Sequence, residues 1–168
     1  MDRADLHFTS VSGARVTISA KALAMMTEFA RKRYHRETGG IMVGHYSDDL
    51  TTARIECVSD EPPDSRAGRT WFVRGKVGLA AILEQAWNEG RYYLGEWHSH
   101  PGTSPAPSGP DLSSIRKIAG SKAHMCHRPI LMIVGGDLRN RLEFSATLAS
   151  GSSTEPMRRT WGAELAAK

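Results

Sequence analysis

The segment from Tyr92 to Pro101, Tyr-Tyr-Leu-Gly-Glu-Trp-His-Ser-His-Pro, limits most strongly what this chain can fold into. Its aromatic and apolar residues suit a strand, and Pro101 ends it, because proline has no N–H to give to a sheet ladder. Side chains on a strand alternate between faces, so His98 and His100 project to one side, with Glu96 beside them, and Trp97 to the other. The fold must then hold a sheet with one strand ending in two imidazoles and Trp97 turned into packing. Gly102 to Pro110 is a loop rich in Gly, Ser and Pro, and Asp111 opens a short helix expected to run to about Ala119. Two His and one carboxylate with a position left open are the ligand count of a catalytic zinc. The same set also serves the iron of non-haem oxygenases. Ser108-Gly109-Pro110-Asp111 can equally be a capping box that only starts the helix.

The rest of the chain mixes helices and strands without a regular βαβ repeat, which predicts an α/β fold of the α+β kind, a mixed β-sheet flanked by helices. Val16-Thr17-Ile18 is a strand, and Ser19 caps a helix from Ala20 to about Tyr34 whose Leu23, Met26, Phe29 and Ala30 share a face. After the break at Glu37-Thr38-Gly39-Gly40, Ile41 to Tyr46 and Ala53 to Val58 form a hairpin around Asp48-Asp49. Glu61 to Arg69 is a solvated, Pro-containing loop before the strand-like Thr70-Trp71-Phe72-Val73. Trp71 is expected to pack, and Arg66, Arg69 and Arg74 to form a solvated charged surface in preference to a substrate clamp. Val77 to Asn88 has helical spacing and Gly90 terminates it. Ile130 to Val134 and Leu142 to Leu148 complete the strands. Residues 1–150 read as one domain, and 151–168 as a linker, Gly151-Ser152-Ser153, leading into a Met157 to Ala167 helix or tail.

Composition narrows the function classes. At 168 residues the chain can bury a core without staples, and 40% apolar with 24% charged residues suits a water-soluble protein. No apolar run approaches a bilayer span and the start has no signal-like h-region, so no membrane partner and a cytoplasmic location are expected. Cys57 and Cys126 show no disulfide or CxxC spacing, consistent with a reducing compartment. The net charge of +4 comes from scattered Lys and Arg, which argues against nucleic acid and leaves a mild field favouring an acidic protein substrate. His124, Cys126 and His127 could bind metal but fall one short of the four ligands of a structural zinc, and an exposed polar loop is the simpler reading.

Taken together, Glu37 with Gly39-Gly40, then His98-Ser99-His100-Pro101, then Ser108 and Asp111 resemble the signature of the JAMM (MPN/JAB) metalloproteases, Glu…His-Ser-His-x7-Ser-x2-Asp. Every spaced position is filled, and the resemblance covers about Val11 to Leu148. It implies a single MPN/JAB domain with a cytidine-deaminase-like fold and zinc on His98, His100 and Asp111. Glu37 would serve as the base that later protonates the leaving amine, and Ser108 as a donor to the oxyanion. Iron oxygenases require neither the upstream Glu nor the Ser, which favours zinc. Glu96 departs from the apolar or aromatic residue usual there in eukaryotic deubiquitinases, and is expected to orient a ligand. Gly95 to Pro101 and Arg128 to Gly136 look like the small bacterial members that accompany E1- and E2-like enzymes in antiphage operons of the CBASS and Bil kinds. The resemblance therefore implies release, or precursor maturation, of a ubiquitin-like protein or CD-NTase-like conjugate. Processing of a sulfur-carrier protein is the alternative enzymatic reading, and a non-catalytic MPN scaffold the alternative of another class, although no ligand is lost here.

Overall fold

A computed structural model describes residues 4–160. In chain order these form β1 (Leu6–Thr9), β2 (Arg15–Ile18), α1 (Ala20–Lys32), β3 (Gly39–Tyr46), β4 (Thr52–Val58), β5 (Arg66–Ala67), β6 (Phe72–Val73) and α2 (Leu79–Asn88). There follow β7 (Tyr92–Pro101), α3 (Gly109–Ala119), a 3-10 turn at Lys122–His124, β8 (Ile130–Asp137), β9 (Arg141–Ser150) and β10 (Ser153–Thr160). Eight strands make one mixed sheet that curls until its edges meet, in the order β1-β10-β9-β8-β7-β3-β4-β2, so each has two hydrogen-bonded neighbours. β7 and β8 run parallel, as do β2 and β4, and the other pairs are antiparallel. The expected mixed sheet flanked by helices is the architecture found.

The apolar pattern explains the layers. Ile130, Met132 and Val134 of β8 join Phe8, Ile18, Met42, Ile55 and Trp97 in the main core, into which α1 sets Ala22, Leu23, Met26 and Ala30. The alternate residues Leu131 and Ile133 pack with Ile115 and Ala119 of α3. A run of consecutive apolar residues such as β8 is what a strand covered on both faces requires. On the far side of β3, Ile41 and Val43 receive Leu79 and Ala86 of α2. Ser19 caps α1 by accepting from the Ala22 N–H at 3.2 Å, and Gly90 takes the left-handed conformation just past α2 (φ +71°).

Two expectations are corrected, and one strand goes beyond them. Ser153–Thr160 is a strand paired with β9 and β1, not a linker and helix. Gly151, at φ +56°, is part of a tight turn between two strands, and within the strand only Met157 and Thr160 are buried, too sparse a pattern to signal a strand. The remainder of the expected tail, 161–168, lies outside the described residues. Trp71 is 49% exposed, because it sits on the β5–β6 ribbon with its indole over Gly68, where a Cβ would come within 2.2 Å of Nε1. β1 has an alternation of its own, Leu6 and Phe8 buried and His7 and Thr9 less so, too short to stand out beside the Arg15–Ile18 strand.

Trp97 does occupy the core, 1% exposed, with its indole N–H donating to the Ser59 carbonyl at 3.0 Å and its ring stacked with Phe29. Trp97→Ala is expected to cost about 3–5 kcal/mol of stability through the cavity it leaves. A urea midpoint close to wild type would show that the site strand does not depend on this anchor.

Candidate metal centre and active site

β7 presents the two histidines as alternation requires. Their Nε2 atoms lie 3.1 Å apart, and Asp111 sets Oδ1 at 3.3 Å from His98 Nε2 and Oδ2 at 3.4 Å from His100 Nε2. Taking one donor atom from each residue, the three lie within 4.8 Å of one another, close enough to share one ion, whose ligands at bonds of about 2.0–2.2 Å stand roughly 3.4 Å apart in a tetrahedral site. Among the described residues these three side chains form the group of His, Cys, Asp or Glu that could hold a metal.

The electrostatics ask for a cation. His100 Nδ1 lies 3.3 Å from the Ser104 carbonyl; that oxygen can only accept, so Nδ1 carries the proton and a neutral His100 turns a lone pair at Nε2 toward the Asp111 carboxylate. Without an ion, a second proton answers the same need: hydrogen bonding to Asp111, against burial, raises the pKa of His100. Burial pushes Asp111 upward, but hydrogen bonds from His100 and His98 outweigh it and hold the carboxyl well below the usual carboxylate range.

Asp111 reaches the histidines because the loop between them is folded back over β8. Gly135 lies opposite His100 in the ladder, and a Cβ there would come within 2.5 Å of Pro105 N. The loop is tied down by Gly102 N–H to the Gly136 carbonyl at 2.9 Å and Gly136 N–H to the Thr103 carbonyl at 2.6 Å. The Ser145 hydroxyl adds a bond to the Pro105 carbonyl at 2.6 Å. Asp111 is then the third helical residue of α3, and the capping-box reading also holds: Asp111 Oδ2 accepts from Ser108 N–H at 2.7 Å, and the Ser108 hydroxyl accepts from Asp111 N–H at 3.3 Å. Asp111 thus caps α3 while its carboxylate also faces the two histidines.

Glu37 is 6% exposed. Burial raises its pKa, while the nearby His98 and His100 pull it down and Asp111 pushes it up, which places the carboxyl in the electric field of all three donors. Its backbone N–H donates to the Gly68 carbonyl at 2.9 Å. Gly39 pairs directly with His98, and a Cβ on it would lie 2.2 Å from the Trp97 carbonyl, so only glycine lets β3 approach the His98 strand this closely.

Ser99, between the histidines, was given no role by its sequence position. It is fully buried; its N–H donates to the Thr38 carbonyl at 2.8 Å and its hydroxyl accepts from Thr38 N–H at 3.2 Å, which locks the Glu37 turn onto the strand that carries His98 and His100. Thr38 in turn donates to Glu61 at 2.8 Å, and Glu61 is gripped by Arg33 and Arg36 at 2.9 and 2.6 Å.

Glu96 is held differently from expectation. Both its oxygens accept from Arg74 at 2.7 Å, and Tyr93 donates to it at 3.1 Å; its hydrogen bonds do not go to the histidines. The register of β3 and β7 skips Leu94, between Met42↔Gly95 and Val43↔Tyr93, and this bulge puts Tyr93 and Glu96, three apart, on one face. Arg74 is therefore a half-buried ion-pair partner and not part of a solvated surface. Of the His124, Cys126 and His127 set, Cys126 is buried with its thiol 3.6 Å from the Tyr46 hydroxyl, whereas His124 lies against the Tyr93 ring.

Fold and site together define a class, a curled mixed sheet with a His-x-His strand end, a returning Asp and a buried Glu. Residues 19–154 match the family model described as prokaryotic homologs of the JAB domain, and the chain belongs to that family. A relative from Enterobacter hormaechei subsp. hoffmannii, named CD-NTase/cGAS isopeptidase, is 43% identical over 147 residues, 86% of this chain and 81% of that protein. Another of that name from Pseudomonas aeruginosa is 31% identical over 121 residues, 70% of this chain and 73% of that protein. The solution structure of protein DSY2949 from Desulfitobacterium hafniense superposes with a TM-score of 0.62 at 19% identity, covering 84% of this chain and 88% of that one, a likeness of fold.

Proposed function

We propose that this chain is a zinc-dependent isopeptidase that cuts the bond between the C-terminus of a CD-NTase or ubiquitin-like protein and its target. The observation carrying the reading is a buried glutamate set in the field of a His98–His100–Asp111 group whose donor atoms lie close enough to share one metal ion. The names of the two relatives supply the substrate class. When bound on His98, His100 and Asp111, zinc supplies a Lewis acid that polarises the scissile carbonyl and brings the pKa of a water to about 7.

The chain's own residues supply the rest. Glu37, made more basic by burial, takes the proton of the attacking water and returns it to the departing amine, one carboxyl serving as base and then acid. The Ser108 oxygen accepts from Asp111 N–H, which leaves its O–H to donate to the carbonyl oxygen as that atom gains charge. Ser99 and Thr38 keep the base in place. In a reducing cytoplasm Cys57 and Cys126 stay thiols.

The test uses a CD-NTase or ubiquitin-like protein joined through its C-terminus to a target lysine. Mass spectrometry should find the modifier released with a free C-terminal carboxylate and the target lysine unmodified. Cleavage should stop when the protein is stripped with a chelator and return on adding zinc. Full activity in a metal-free preparation would overturn the mechanism.

A further inference from the structure

Beside the site opens a cleft of about 470 Å³ whose lining includes Tyr34, His35, Arg69, Gly102, Asp137 and Arg139. Its walls continue the catalytic segments. Gly102 follows His100 by two residues, His35 precedes Glu37 by two, and Arg69 follows Gly68, whose carbonyl receives the Glu37 N–H at 2.9 Å. The cleft is thus built from residues one or two positions along the chain from the site's own, and its volume is within the size range of ordinary ligand sites.

The cleft is basic and partly preformed. The Arg139 guanidinium lies over the Tyr34 ring, 4.6 Å from its centre, a stack that fixes its plane and leaves its N–H edges to donate. Tyr34 is itself braced edge-on against His35. Among the described residues Arg69 takes part in no ion pair, and the Arg139 charge acts on a carboxylate only as the last of the influences that lower the pKa of Asp137. The carboxylate of the lining, Asp137, is occupied by Arg139 N–H at 3.1 Å and the Asn140 side chain at 2.7 Å. Arg31 adds a further positive charge at the wall, donating to the Leu138 carbonyl at 3.2 Å, whereas Arg74 is committed to Glu96, Arg36 to Glu61, and Arg33 to Asp60 and Glu61.

We propose that this cleft binds an acidic stretch of the substrate polypeptide next to the scissile bond, with Arg69 and Arg139 setting the preference. The assignment rests on the isopeptidase reading for its substrate and on the cleft's own charge for its chemistry.

Two measurements test it separately. In the first, conjugates carrying Glu or Gln beside the scissile bond are cleaved by the zinc-loaded protein. The Glu form should show a KM about tenfold lower with kcat changed less than twofold. Arg69→Ala with Arg139→Ala should erase that difference, and Lys122→Ala, which removes a charge outside the cleft, should keep it. In the second, a fluorescent Glu/Gly peptide should bind more tightly than a Gln/Gly peptide or a single-stranded oligonucleotide, and more weakly as salt screens the charges. Equal KM for the two conjugates, a preference that survives the double substitution, or tighter binding of the oligonucleotide would each overturn the cleft assignment. If neither conjugate is cut while the double variant still releases the acidic peptide, the isopeptidase reading fails and the acidic-peptide site stands.

Discussion

Glu37→Gln is expected to lower cleavage by about 10²–10⁴-fold, the usual contribution of a positioned acid–base group, with zinc content and substrate affinity near wild type. The amide keeps the size of the carboxyl but cannot take a proton. Glu96→Gln should cost less turnover, because Glu96 is bound to Arg74 and Tyr93. A severe loss in Glu96→Gln beside near-normal cleavage in Glu37→Gln would reverse the assignment. The same variant has a signature in stability. Burial raises the folded pKa of Glu37 above its ordinary value, so the folded state binds the proton more tightly than the unfolded chain. The wild type thus loses stability as pH rises from the ordinary glutamate value through the raised one. Metal-free Glu37→Gln should melt higher than metal-free wild type at neutral pH, with the gap closing toward acid. A constant gap across the range would mean that the carboxyl is not paying a burial cost.

His100→Ala should reduce bound zinc from about one per chain to nearly none, since a site with three protein ligands has none to spare. Asp111→Ala should do the same, but the two variants part in the metal-free protein. Asp111 also accepts the Ser108 N–H as the N3 partner of the α3 capping box, so its loss should lower stability further by leaving that N–H without its partner. His100 caps nothing. Metal analysis of the purified variants, with denaturant midpoints taken in chelator, separates ligand from cap. Normal zinc in His100→Ala would remove that residue from the site.

Period and spacing were enough to place much of this in the sequence. A two-residue alternation ending at Pro101 settles that His98 and His100 share a side and Trp97 opposes them, because a pleated strand permits nothing else. Ser19 and Gly90 mark helix ends for equally local reasons, while Asp111 as the third candidate donor is what the resemblance to the JAMM signature implies through its offsets from His100. What the tertiary structure decided are the contacts between segments distant in the chain. Nothing local to Ser99 says that it will hold Thr38, 61 residues away, or to Arg74 that it will grip Glu96. That Gly151-Ser152 turns a hairpin instead of opening a linker depends on β9 and β1 flanking the strand that follows. The Leu94 bulge, which brings Tyr93 and Glu96 onto one face, exists only where β7 meets β3. Side-chain periodicity is a property of a backbone segment and can be read along it, whereas ion pairs, bulges and a basic cleft are made by closing a barrel.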